Sequence, residues 1–326
     1  MSDLPKAIEI CEKGPREGMQ IEKGPISTAR KIELIDALSD TGLQHIQTVS
    51  FVNPKRVPSM ADADAVIAGI TPRPGVNYSV LWLNDVGLER ALKYRDRIEF
   101  REAFSLGASE PFSLRNQNRD TVANIAMQNS HLDILERNHI HMESALITAA
   151  FGCNFAGDIP IANVLATIEQ AFELAAAHHF TLKRISLNDT MAWATPLTVK
   201  RMVAAVRDRW PSLRINLHFH NTRGLGVANF FAGLEMGVES YDSSVAGLGG
   251  CPFAGHRGAS GNVCTEDLVF LCEELGIGTG VDLDRLIECA LLAEEIVGHP
   301  LPGSVMKGGT LRRLREEVAK KNYSIA

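Results

Sequence analysis

The sequence predicts a (β/α)8 barrel of the TIM type carrying additional C-terminal helices. Three observations predict it. Short runs rich in β-branched or apolar residues alternate with longer segments of helical period. The rhythm continues without a composition break, internal repeat or low-complexity tract. Eight strand and helix pairs in about 260 residues match this barrel in number and size. A doubly wound parallel sheet shares the rhythm, but the phosphate fingerprint that usually accompanies it is missing.

The strand candidates are residues 8–12, 45–51, 76–83, 98–106, 140–149, 184–189, 215–220 and 240–246. Helical period marks 28–40, 121–136, 161–177, 196–208 and 225–236. Ser27 stands where the first of these helices needs an N-cap, and Gly42 lies just beyond its end. After Val245 the pattern gives way to a glycine-rich loop at 246–262, expected to be a lid. Helices with apolar stripes follow at 265–275, 282–297 and 309–320, and would cap the barrel or pack on a partner. The expected division is a catalytic barrel over 1–264 and a helical appendage over 265–326.

Composition narrows the class. Hydrophobic residues at 45%, charged residues at 22%, 14 prolines and 27 glycines exclude a disordered, collagen-like or disulfide-scaffold protein. The formal charge of −6, with no block of like charge, argues against nucleic acid or an anionic membrane as partner. The six cysteines show no CxxC spacing, so a reducing compartment is expected. No apolar run approaches the roughly 18 residues that span a bilayer, and the N-terminus has no signal-like segment. These features predict a cytoplasmic protein.

In such a barrel, function gathers at the C-terminal ends of the strands. His218 and His220 lie two apart on a strand, so both rings point to one face. That inward face is normally aliphatic. Paired neutral imidazoles there suit a divalent metal, although two hydrogen-bonded histidines at a strand end are the simpler alternative. The first strand ends in an Arg16 and Glu17 pair between Gly14 and Gly18. Glu17 would complete a metal site and Arg16 would stabilise an oxyanion, against the alternative of a surface salt bridge. Cys251, in the glycine-rich loop, is a proton donor, a nucleophile or a small buried hydrophobe. The loop is no nucleotide fingerprint: it has no GxxxxGK[ST], and Pro252 stands where GxGxxG needs its last glycine.

Together these residues resemble the hydroxymethylglutaryl-CoA lyase family of metal-dependent barrel lyases. Gly14-Pro15-Arg16-Glu17-Gly18-Met19-Gln20 is similar to that family's Gly-Pro-Arg-Asp-Gly-Leu-Gln opening. Thr48-Val49-Ser50-Phe51-Val52-Asn53-Pro54-Lys55 and His218-Phe219-His220-Asn221-Thr222 are similar to its second-strand and His-x-His segments. Its lid and final ligand region are matched by Val245-Ala246-Gly247-Leu248-Gly249-Gly250-Cys251-Pro252 and Gly258-Ala259-Ser260-Gly261-Asn262. The resemblance implies that Glu17, His218, His220 and Asn262 bind Mg2+ or Mn2+, and that Arg16, Glu17 and Cys251 are catalytic. It also implies that Arg16, Gln47, Thr148, Asp189 and Trp193 contact substrate. The implied substrate is an acyl-CoA, the implied reaction is retro-aldol cleavage of a 3-hydroxyacyl-CoA, and a homodimer is expected.

Several positions depart from the family pattern. Glu17 replaces aspartate; homocitrate synthases, more distant relatives with the same barrel, also have Arg-Glu here, so metal binding is expected to persist. Gln47 replaces a glutamate, Asn221 an aspartate, and Phe219 separates the histidines where the lyases often have cysteine. Asn188-Asp189-Thr190-Met191-Ala192-Trp193-Ala194 replaces Gly-Asp-Thr-Ile-Gly-Val-Gly, and the lid carries two extra residues around 255–257. Hydroxymethylglutaryl-CoA is the default substrate that the resemblance implies; if Gln47 and Trp193 line the acyl pocket, the preferred substrate is instead another thioester, such as citramalyl-CoA or 3-methylmalyl-CoA. A Claisen-condensing synthase and a metal-binding barrel without catalysis are the alternative functions.

Overall fold

The computed structural model describes residues 4–22, 24–101, 104–249 and 261–323. The chain opens with β1 (Glu9–Glu12), a π-helical turn (Gly14–Gly18), α1 (Met19–Ile21), α2 (Thr28–Ser39), β2 (His45–Phe51) and α3 (Ala63–Gly69). It continues with β3 (Asn77–Trp82), α4 (Asp85–Leu92), β4 (Phe104–Gly107), α5 (Glu110–Gln117), α6 (Thr121–Arg137) and β5 (Ser144–Thr148). Then come α7 (Ile161–Ala177), β6 (Arg184–Asp189), α8 (Pro196–Arg209), β7 (Arg214–Phe219), α9 (Gly226–Glu235) and β8 (Ser240–Ser243). A 3-10 turn (Val245–Gly247) precedes α10 (Thr265–Leu275), α11 (Leu283–Val297), α12 (Val305–Gly308) and α13 (Leu311–Tyr323).

The eight strands are parallel and follow the order β3-β2-β1-β8-β7-β6-β5-β4. The first strand is therefore hydrogen-bonded to the last, which curls the sheet into the predicted barrel. At the remaining seam, Ser79 of β3 pairs with Glu99, whose N–H donates to the Tyr78 carbonyl at 2.7 Å. The helices bury one stripe each against the strands: Leu34, Ile35 and Leu38 of α2, Val164, Ile168 and Ala171 of α7, and Val199, Val203 and Val206 of α8. Helical spacing puts each set on one face, and each Val, Leu or Ile among them contributes about 1.5–3 kcal/mol on burial.

Local chemistry explains the boundaries. Ser27 accepts a hydrogen bond from the Arg30 N–H and caps α2, as predicted. Asp120 caps α6 and Thr195 forms a capping box on α8. The strand predicted at 140–149 begins only at Ser144. Residues 138–140 close the end of α6 instead, with Ile140 N bonded to Leu135 O and His139 in the left-handed region at φ 55°. Likewise the strand predicted at 240–246 stops at Ser243, because Ala246 adopts φ 56° in the following turn. Short helices α3, α4 and α5 lie outside the predicted set; α4 and α5 are set by the caps Asn84 and Ser109.

The C-terminal helices lie against the barrel. α11 packs on α2, α10 packs beside α9 and the turn Val245–Gly247, and Gly278 pairs with Ala7 ahead of β1. Gly42 makes the close approach: its φ is +94°, and a Cβ there would lie 2.2 Å from the Gly280 carbonyl oxygen. Among the described residues, no helix is long and apolar enough to cross a membrane.

Candidate active site and metal centre

The turn after β1 is held from beneath by Glu12. Its fully buried carboxyl accepts from Gly14 N at 2.7 Å, Val245 N at 2.9 Å and Thr265 Oγ1 at 2.6 Å. Burial pushes its pKa up to about 7 against these bonds. The π-helical turn so anchored presents Arg16 and Glu17 at the barrel mouth, with Arg16 Nη2 3.1 Å from Glu17 Oε2. Gln47, buried on β2, accepts from Arg16 Nε at 2.5 Å. The guanidinium is therefore aimed by one neutral and one charged partner.

On β7 the period of two holds. His218 and His220 face inward, while Phe219 between them packs outward against Phe151 at 5.9 Å between ring centroids. The two imidazoles stand edge to face, with Nε2 atoms 3.4 Å apart. Glu17 Oε1 lies 3.1 Å from His220 Nε2 and 4.0 Å from His218 Nε2. The other ring nitrogens are fixed: His220 Nδ1 donates to the Thr190 carbonyl at 2.8 Å, and His218 Nδ1 donates to Asp242 Oδ2 at 3.1 Å. With those bonds made, neutral rings turn both Nε2 lone pairs toward Glu17. Three acceptors then face one point, an arrangement that calls for a cation.

The charges show what competes with a cation for this point: a proton shared between Glu17 and His220. Burial would raise the Glu17 carboxyl, but Arg16 and the His220 hydrogen bond hold it well below the usual carboxylate range. Burial would lower His220, yet the bond to Glu17 raises it. Burial likewise opposes ionisation of Asp242, but Lys13 and His218 keep its pKa below the ordinary value. Asn262 joins from the far side: it pairs with His220 through the backbone, and its Nδ2 donates to the Leu248 carbonyl at 3.3 Å. Among the described residues its buried Oδ1 has no hydrogen-bond partner. Gly249 closes this side at φ +98°, where a Cβ would lie 2.9 Å from Asn262 Nδ2 and 3.2 Å from Glu17 Cγ. A carboxylate oxygen, two imidazole nitrogens and an orphaned amide oxygen fit a divalent cation that takes mixed oxygen and nitrogen ligands.

The structure thus brings Arg16, Glu17, His218, His220 and Asn262 together, with Gln47 behind Arg16. Thr148, at the end of β5, lines the same cavity of about 240 Å3. Asp189 and Trp193 are not among the described residues lining it. Asp189 Oδ1 accepts from Trp193 N and Ala194 N at 2.7 and 3.0 Å, and burial raises its pKa to about 6. This turn, with Ala192 at φ 57°, directs the indole to Asn154 Oδ1 at 2.7 Å and over Gly152. The expected Trp193 wall is therefore supplied by Trp82 and Phe104 from β3 and β4. Cys251 and lid residues 250–260 lie outside the described residues. Sequence reasoning missed Lys13, Asp242 and the Thr190 carbonyl. An acid in the strand Ser240–Ser243 and a lysine just past β1, both at inward positions, were the available signals for the first two.

Comparison with known proteins gives the family. The HMGL-like family model matches residues 7–292. The chain belongs to the HMGL-like family. Hydroxymethylglutaryl-CoA lyase YngG of Bacillus subtilis (strain 168) is 39% identical over 298 residues, covering 91% of this chain and 96% of that one. The mitochondrial hydroxymethylglutaryl-CoA lyase of Homo sapiens is 41% identical over 289 residues, 88% of this chain and 85% of the relative. The structure of an HMG-CoA lyase from Acenitobacter baumannii in complex with coenzyme A and 3-methylmalate superposes with a TM-score of 0.83 at 36% identity, covering 95% and 97% of the two chains. This HMGL-like chain is a carbon–carbon lyase, and its family is divalent-metal dependent.

Proposed function

We propose that this HMGL-like protein cleaves a 3-hydroxyacyl-CoA thioester to an acyl-CoA and a keto fragment. The convergence of Glu17 Oε1 and both Nε2 atoms beside Arg16 carries the reading. Glu17, His218, His220 and Asn262 would hold Mg2+ or Mn2+; when bound, the cation supplies Lewis acidity that makes the substrate hydroxyl easier to deprotonate. Arg16, pre-aimed by Gln47 and Glu17, donates to the thioester oxygen as it becomes an enolate. A carboxyl held well below the usual range is a poor base, so Glu17 serves as ligand before proton acceptor. Thr148 lines the acyl cavity, while Asp189 shapes the turn beside His220. We assign protonation of the enolate carbon to Cys251 on the family resemblance.

Hydroxymethylglutaryl-CoA is the first substrate to test, with citramalyl-CoA and 3-methylmalyl-CoA as competitors. The relative solved with coenzyme A and 3-methylmalate supports an acyl-CoA substrate. Turnover should be measured against these thioesters with Mg2+ and with Mn2+. We expect metal-dependent release of free acyl-CoA product from at least one; no cleavage of any would overturn the lyase reading. Cys153, Cys264, Cys272 and Cys289 are buried free thiols, which supports a reducing compartment such as the cytoplasm. Exposed Leu311, Leu314 and Val318 along α13 support a homodimer.

A further inference from the structure

The floor of the cavity holds a lysine. Along β1 the inward positions are Glu9, Cys11 and, one step further, Lys13, whose N–H bonds to the Ser243 carbonyl of β8. Its side chain is 2% exposed, lines the cavity, and lies 3.7 Å from Asp242 Oδ2. That oxygen also accepts from His218 Nδ1, so Asp242 is shared between two cations or donors. Taking an ammonium out of water into a barrel interior is costly. Asp242 offsets that cost, and the side chain still lines the cavity, where its charge faces a bound anion.

The same cavity is lined by Asn188, on β6 at the level of His218 and Asp242. A polar relay sets its orientation. Ser240 Oγ donates to Asn216 Oδ1, Asn216 Nδ2 donates to Ser186 Oγ, and Ser186 Oγ donates to Asn188 Oδ1, each at 2.8 Å. With its oxygen committed downward, Asn188 offers its Nδ2 hydrogens to the cavity it lines. The charges agree with this. Among the described lining residues that carry full charge, Lys13 and Arg16 balance Glu17 and Asp242, so a dication leaves a surplus of two. One substrate carboxylate together with the developing enolate would neutralise that surplus.

We propose that Lys13 and Asn188 form a subsite for a free carboxylate on the acyl chain, and that Lys13 makes the enzyme selective for acyl groups bearing one. The inference rests on the lyase reading for its substrate, but the subsite can be tested by binding alone. Calorimetric titration of 3-hydroxy-3-methylglutarate and its monoamide into the Mg2+-loaded protein should give at least about tenfold tighter binding of the diacid. In Lys13→Met, of similar length and no charge, that preference should collapse to about twofold or less. Cleavage of hydroxymethylglutaryl-CoA and its distal amide should show the same ratio in kcat/KM. If neither thioester is cleaved while the binding preference tracks Lys13, the lyase reading fails and the subsite stands. Equal binding of diacid and monoamide by the parent protein overturns the subsite, as does a preference retained in Lys13→Met. Should Lys13→Met fail to fold, Asn188→Gly should still reduce the preference, and an unchanged preference there overturns the pair.

Discussion

Arg16 and Asp242 show how single side chains carry the chemistry here. The Arg16 fork is held at Nε by Gln47 and at Nη2 by Glu17, so its direction is set before substrate arrives. Lysine retains a charge but loses that fork. Arg16→Lys should therefore lower kcat at least about 100-fold with a smaller change in KM, as read by steady-state kinetics. Near-normal kcat with weakened binding would move Arg16 to ground-state recognition. Asp242 acts through His218, fixing its Nδ1 tautomer and strengthening the Nε2 lone pair as a metal ligand. Asp242→Asn keeps the shape and removes the charge. Titration with Mn2+ should show about 10- to 100-fold weaker binding; unchanged affinity would leave Asp242 a packing role only.

At the scale of elements, the turn Val245–Gly247 is the junction, and two buried acids clasp its successive amides. Glu12 accepts from Val245 N, and Glu266, at the start of α10, accepts from Ala246 N at 3.0 Å. Burial raises the Glu266 pKa from its ordinary 4.5 to about 8. Below pH 4.5 both folded and unfolded chains hold this proton; between 4.5 and about 8 the folded chain holds more of it. Stability from this group is thus fully present below pH 4.5 and is lost as pH rises through about 8. Glu266→Gln mimics the protonated acid, so its thermal midpoint should fall less between pH 5 and 8 than the parent's in calorimetry. Equal slopes would show that Glu266 does not titrate in this window. We also propose that the helices after residue 264 are an appendage of the barrel, since α11 packs on α2 and Gly278 pairs with Ala7. Helices with strong apolar stripes, such as Ile161–Ala177 and Thr265–Leu275, were legible to the residue. Strand limits set by left-handed backbone, at His139 after α6 and at Ala246 after β8, were not, because nothing in a two-residue period marks such a turn.

For the whole molecule, closure makes the site. Glu17 and His220 are 203 residues apart and meet because β1 lies beside β8, which lies beside β7. By itself the sequence determined the strand and helix alternation, the inward pairing of His218 and His220, and the Arg16 and Glu17 turn. Each follows from spacing, because a period of two or of three to four residues fixes which side chains share a face. Only the tertiary structure decided that Asp242 and the Thr190 carbonyl orient the two rings, that Trp193 turns to Asn154, and that Lys13 and Asn188 share the cavity floor. In a parallel barrel lateral neighbours come from strands far apart in the chain, so their register and the turns that aim their side chains exist only once the sheet has closed.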